Sequence, residues 1–453
     1  MQEPKTLSLQ AGRRVAPACL LGLVLLASLA CQQNQRGPSS IQPSPSGPSQ
    51  SSASPPEPAV SHDASQLAHY QITPASLPQP NATGDADNPP VLIPQPSDAQ
   101  LYMPTGFAVN TFASGGFERA RWMTLAPNGD VFVADAGSNK ILILRDTNQD
   151  GVADARFTFA DQLNKPFGMA FWHDHFYVAN TNAVVRFHYQ PGQTQADGPP
   201  EKIIDLPGQG YREHWTRNII FNPRASKLYI TVGSASDAGI EPEPRAAILE
   251  CNPDGSGVRI FASGLRNPIG LSFRPGTDAL WAAVQERDHL GDDLPPDYVT
   301  EIKDGGFYGW PYAYAGSVED PRHVGERPDL VKKSIVPDVL IKAHSAILGL
   351  VFYTGKMFPE EYSGDAFVAM HGSWNRTRRI GYKIARIHFR GGKPEGGYDD
   401  FITGWALAED RRQVWGRPVG LLLLSDGSML VTDDGANKIW RISYRAPESA
   451  PSR

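Results

Sequence analysis

The chain has 453 residues, with 42 Lys and Arg against 48 Asp and Glu, a net charge of -6 and 40% apolar residues. That length and apolar share suffice for a large buried core, and the mildly acidic balance excludes a protein built around nucleic acid. Any site for an anion must therefore be a local concentration of positive charge.

Residues 1–31 read as an export segment, because Lys5, Arg13 and Arg14 precede the apolar run Cys19-Leu-Leu-Gly-Leu-Val-Leu-Leu26, too short to span a bilayer. It ends in Ser28-Leu-Ala-Cys31, which resembles a bacterial lipobox with Ser28 where Leu is commoner. On that resemblance Cys31 is the lipidated first residue of an exported lipoprotein, held to a membrane only through its anchor. The alternative is ordinary signal cleavage and a free product. Without this segment Cys251 is the one remaining cysteine, so no internal disulfide can form.

Residues 32–97 are rich in Pro, Ser and Gln and poor in large apolar side chains. They cannot bury enough surface to offset their ordering entropy, which predicts a disordered linker. Residues 98–446 carry a repeated pattern, and residues 447–453 read as a frayed tail.

The pattern is clearest in Phe261-Ala-Ser-Gly-Leu-Arg-Asn-Pro268, where a polar loop enters a short apolar strand, turns at Pro275-Gly276 and returns as Ala279 to Val284. Related runs begin at Arg121, Lys165, Thr216, Ile347 and Arg417, which makes six copies. Most continue into a third strand such as Lys140-Ile-Leu-Ile-Leu144 or Lys438-Ile-Trp-Arg-Ile442. Repeats of three or four short strands with no helical period between them predict an all-β fold, a six-bladed β-propeller.

In the first copy, Asp146, Asn148, Asp150 and Asp154 place oxygen side chains at positions 1, 3, 5 and 9 of a loop with Gly151 at 6, and Val152 offers a carbonyl. The spacing is that of a calcium loop lacking its terminal Glu, since Phe157 stands at position 12, and equally that of an Asx-rich turn. Long connections follow in the fourth and fifth copies, at 286–312 and 313–342, and His371-Gly-Ser-Trp-Asn-Arg376 interrupts the fifth. Such excursions build functional rims.

In a radial fold the residues just before each innermost strand gather at one mouth of the axis. Here they include Arg119, Arg121, Asn164, Lys165, His214, Arg217, Arg266, Asn267, His344 and Arg417. A ring of cations in a concave site focuses field on an anion, and Arg forks hold carboxylates in fixed orientation, so a small polyanion is the expected ligand. Some of these groups would instead bind blade carbonyls. His214, on a Gly-rich loop beside Glu213, is the candidate general base because imidazole titrates near neutral pH. The alternative for a lone His is a structural role.

His214-Trp-Thr-Arg-Asn218, Gly264-Leu-Arg-Asn-Pro268, Gly305-Gly-Phe-Tyr-Gly-Trp-Pro311, His371-Gly-Ser-Trp-Asn-Arg376 and Gly416-Arg-Pro-Val-Gly420 resemble the quinoprotein glucose/sorbosone dehydrogenases, nearest their sorbosone and pyranose branch. The resemblance covers roughly Leu101 to Tyr444. It implies bound pyrroloquinoline quinone and calcium, with oxidation of an aldose or related aldehyde by hydride transfer to the quinone. It further implies that His214 takes the sugar hydroxyl proton and that Arg266 and Asn267 hold the quinone carbonyls. Arg417 would hold carboxylates, with Arg217, His344, Lys165 and Arg376 as further cofactor contacts, and the backbone of Gly309, Trp310 and Pro311 would carry calcium.

Three departures stand out. The Gln of the second blade has no clear match, Glu213 replaces an Asp, and a fifth-blade Lys is replaced within Ser373 to Arg376. They leave glucose in doubt as the substrate. No Cys-x-x-Cys-His run occurs, so electrons must leave to a separate acceptor. Two other readings keep the propeller: a calcium-dependent lactonase, favoured by carboxylates around the channel, and a non-catalytic propeller of the NHL kind, favoured if the cations are tied to blade carbonyls.

Overall fold

The computed structural model describes residues 57–208 and 214–447. The export segment with Cys31, the linker up to residue 56, the loop residue Glu213 and the tail beyond 447 lie outside them.

Six antiparallel sheets of four or five strands are arranged radially, as the repeats predict. Their innermost strands are Ala120–Leu125, Met169–Trp172, Ile219–Phe221, Asn267–Phe273, Ile347–Phe352 and Pro418–Leu423. Each packs against the next and the last against the first, which closes the ring. Second strands such as Val131–Asp135 and Leu228–Val232 are buried throughout. They lie between neighbouring sheets on both faces and so read as unbroken apolar runs rather than alternating ones. The outermost strand Ala155–Ala160 has one wet face and alternates.

Closure is made by chain exchange. Phe107–Ser114, from before the first blade, pairs antiparallel with Lys438–Tyr444 as the outer strand of blade 6. Joining the two ends of the domain in one sheet removes the free edge that an open ring would leave. The insertion between the third and fourth strands of blade 4 also serves its neighbour, since Gly306–Phe307 adds a parallel fifth strand to blade 3. A single α-helix occurs among the described residues, Pro328–Lys333.

One expectation is corrected. From residue 57 the predicted linker is laid on the propeller. Ala59–Ser61 pairs with Gln100–Tyr102, His69–Tyr70 extends blade 5, and Val91–Leu92 pairs with Gln413–Val414. A segment poor in apolar side chains is held by backbone pairing and by anchors such as Tyr70, stacked on Tyr398 at 4.7 Å with Lys383 4.3 Å from its ring. Composition registers core-forming capacity and misses edge pairing of this kind.

Candidate active site

His214 approaches the innermost strand of blade 3 and is buried, with Nδ1 2.9 Å from Ser234 Oγ. Gly233 permits this, because a Cβ there would lie 3.0 Å from His214 Cβ and 2.5 Å from Asn267 Oδ1. Burial, then the nearby Arg266 charge, hold the His214 imidazole well below its usual pKa. It is therefore a neutral proton acceptor at neutral pH.

His214 lines a cavity of about 70 Å3 with Arg266, Gln285, Glu286, Asp288, Asp297, His344, Trp374 and Asn375. The carboxylates differ in state. Burial pushes Glu286 up to about 8 and Asp297 to about 6, and Glu286 Oε1 has no hydrogen-bond partner among the described residues. For Asp288 burial also acts upward, but His344 and Arg266 outweigh it and hold the carboxyl far below the usual range. The cavity thus contains a proton-holding acid, a fixed anion and a neutral imidazole.

Several predicted cofactor contacts are committed elsewhere. Arg266 donates to the Asp237 and Glu286 carbonyls and to the Asp237 and Asp288 carboxylates. Arg217 donates to the carbonyls of His214, Thr216 and Pro207, which shapes the His214 loop. Arg376 bonds the Asp292 carbonyl and, at 2.6 Å, Asp293. Asn267 donates to Gln285 at 3.0 Å, and its Oδ1 is buried without a partner among the described residues. Blade closure uses guanidinium forks as staples for loop carbonyls, which residue type alone does not reveal.

The opposite sector of the mouth, formed by blades 6, 1 and 2, has a different balance. Arg119, Lys165 and Arg417 have no carboxylate ion pair among the described residues. Arg119 and Lys165 line an open cavity of about 320 Å3 with Glu118, Asn139 and Trp215, and Lys165 Nζ lies 5.9 Å from the Trp215 ring centre. Arg417 rests on the His371 and Gly372 carbonyls at 3.1 and 3.3 Å. Between them Arg121 pairs with Asp434 at 2.6 Å. Burial, then opposing Asp434 and the like charges of Arg119 and Arg417, leave its pKa lowered. Consecutive residues His214 and Trp215 line the two cavities, so an acid-lined sector meets a cationic sector at that step of the chain.

The loop from Asp146 to Asp154 is hydrogen-bonded to itself. Asp146 accepts from Asp150 N and Gly151 N, Asp150 from Val152 N, and Asp154 from Thr147. Among the described residues no three His, Cys, Asp or Glu side chains converge as a metal would require. The Gly309 carbonyl accepts from Tyr312 N and Ala313 N, both at 2.9 Å, and is spent on that turn. Trp310 is buried, with Nε1 on the Asp237 carbonyl at 2.9 Å.

Sequence reasoning missed Glu286, Asp288, Asp297, Asn375 and Trp215. The signal was the density of acids in Glu286 to Asp297, where five of them stand against one cation, Arg287, and one His.

A six-bladed propeller with a polar, charged mouth at one end of its axis is the class that this fold and site define. Residues 169–375 match the family model described as glucose / sorbosone dehydrogenase, and residues 329–445 match the one described as TrAA12-like. Over that first stretch the chain is similar to the family that its motifs resemble. An uncharacterized protein of Borreliella burgdorferi is 29% identical over 357 residues, covering 76% of this chain and 91% of that one. The calcium structure of the Trichoderma reesei family AA12 enzyme superposes with a TM-score of 0.67 at 18% identity, covering 81% and 99% of the two chains. The holo form of the pyranose dehydrogenase PQQ domain from Coprinopsis cinerea gives 0.65 at 20%, covering 77% and 98%. At these identities the structural likeness is one of fold.

Proposed function

We propose that the protein is an exported lipoprotein, anchored through Cys31, that oxidises an aldose or aldehyde sugar of the sorbosone or pyranose type with pyrroloquinoline quinone. The observation that carries this reading is the division of charge at the mouth. Arg119, Lys165 and Arg417 are cations without carboxylate ion pairs among the described residues, and the first two share a cavity with the flat ring of Trp215. That set suits a planar tricarboxylate, whose carboxylates these three residues would hold. When bound, the quinone supplies the two-electron acceptor. Calcium, if carried by the Trp310 and Pro311 carbonyls, would supply Lewis acidity.

The chain's own chemistry is proton handling. His214, neutral and with Nδ1 fixed against Ser234, accepts the proton of the sugar hydroxyl. Asp288 and Asn375 orient hydroxyl groups at the cavity wall, and Trp374 offers an apolar face. Electrons leave to a separate acceptor protein or quinone.

A calcium-dependent lactonase is favoured by the three carboxylates of the His214 cavity, although they do not converge on a metal-like centre. One assay separates the two. Apoprotein is loaded with calcium and quinone, and reduction of an artificial acceptor is followed across a sugar panel, with lactone hydrolysis in parallel. Quinone-dependent reduction that His214→Ala abolishes is the expected result. Absence of quinone uptake, or hydrolysis in its place, overturns the reading.

A further inference from the structure

The far wall of the His214 cavity is made by a blade 4 loop carrying Glu286 and Asp288 and a blade 5 loop carrying Trp374 and Asn375. Neither loop belongs to a strand, and both are fastened by a segment lying before the first blade. Asp292 N donates to Thr83 Oγ1 at 2.7 Å, Gly291 N to Asp85 Oδ1 at 3.3 Å, and Asn81 N to the Leu290 carbonyl at 3.0 Å. Asn88 donates from its backbone N to the Trp374 carbonyl at 2.8 Å and from Nδ2 to the Arg376 carbonyl at 3.0 Å. Arg379 Nη2 returns two bonds, to Asn88 O at 2.6 Å and Oδ1 at 3.0 Å.

The contact with blade 4 is close enough to require glycine. Gly291 has φ +90°, and a Cβ there would lie 2.7 Å from the Thr83 carbonyl oxygen. Gly291 then faces the site, since its carbonyl lies 2.9 Å from His344 Nε2. His344 Nδ1 is 3.1 Å from Asn375 Nδ2, and Asn375 in turn donates to Asp288. A continuous chain of polar contacts therefore runs from residues 83–88, through Gly291 and His344, to the carboxylate that holds Arg266.

We infer that Thr83, Asp85 and Asn88 are positioning residues of the active site, fixing both loops of the cavity from outside the propeller; the word active rests on the reading proposed above. Removing the Thr83 hydroxyl strands the buried Asp292 N–H, and removing the Asn88 amide frees the Arg376 carbonyl. Each loss favours an open loop.

The test uses the full chain carrying Thr83→Val with Asn88→Ala, Thr83→Ser as the conservative variant, and Tyr70→Phe as a control at the blade 5 edge. Amide hydrogen exchange in the apoprotein reads the loops directly. In the double variant, exchange across 286–294 and 373–379 should rise about tenfold, the scale of one or two lost hydrogen bonds. The thermal midpoint should fall no further than in the control, and Thr83→Ser should keep slow exchange. In quinone-loaded protein, kcat should drop about tenfold with the fold intact.

Unchanged exchange in both loops overturns the inference. Faster exchange with undiminished kcat also overturns it, because the segment is then structural only. If the wild type shows no quinone-dependent turnover, the dehydrogenase reading fails while the exchange data still decide whether the segment fixes the loops.

Discussion

Asn375 donates a 2.6 Å hydrogen bond to Asp288 and so joins the blade 5 loop to the blade 4 loop across the His214 cavity. Asp288 also pairs with Arg266 at 3.1 Å and lies 3.7 Å from His344 Nδ1. Three side chains, from blades 4 and 5, depend on one buried carboxylate.

Asp288→Ala should therefore be among the most destabilising single changes at the mouth. It leaves Arg266 buried with Asp237 as the remaining acidic partner among the described residues, and a loss of about 3 kcal/mol is expected, since removing one partner of a buried pair costs about 3–5 kcal/mol. Urea unfolding measures it. Because the folded pKa of Asp288 is depressed, its contribution is present above the unfolded value and is lost as pH falls below the ordinary carboxylate range.

Glu286 acts in the opposite sense. Burial raises its carboxyl to about 8, so the proton is bound more tightly in the folded state. The stabilisation is complete below the unfolded Glu pKa and is lost as pH rises toward 8. Glu286→Gln keeps the shape without the charge. Its thermal midpoint should stay flatter than the wild type's between about pH 5 and 8, the interval bounded by the usual Glu value and the raised one. Parallel curves for the two proteins would refute a buried, titrating Glu286.

His214→Ala should lower sugar-dependent turnover by about 10²–10⁴-fold, the range of general base catalysis, while quinone uptake persists. Since burial and then Arg266 depress the imidazole, its basic form survives acidification through the usual His range. The acid limb of kcat should lie well below pH 6.5. Stopped assays over a pH series measure this, and a limb centred on the ordinary His value would contradict the buried environment.

Arg119→Ala, Lys165→Ala and Arg417→Ala should each weaken quinone binding and make it less sensitive to salt, because each removes an attractive charge that salt would otherwise screen. Arg217→Ala should behave differently. Its fork serves the carbonyls of the His214 loop, so the loss should register in thermal stability and turnover more than in the salt dependence of binding. Titration of quinone fluorescence or absorbance at two ionic strengths separates the cases.

The blades were legible because each is made by local strand pairing. Arg121, Lys165, Thr216, Arg266, Ile347 and Arg417 open repeats whose apolar runs alternate with turns, and burying such runs against neighbours leaves a radial ring as the economical solution. The place of His214 was legible too, since its motif stands just before an innermost strand. Residues 57–97 were misread because their order comes from pairing with strands far along the chain, such as Gln413–Val414, a term composition does not contain.

What the sequence alone determined is therefore the six-fold ring and the set of polar residues at its mouth. Which of those charges face outward was decided only by the tertiary structure. Arg217 and Arg266 look equivalent to Arg119 and Arg417 in the repeats, yet the connection before blade 3 and loops of blades 3 and 4 bring carbonyls and Asp237 and Asp288 against the first two. Buried guanidinium groups must be compensated, and whether a partner arrives depends on contacts between segments remote in sequence.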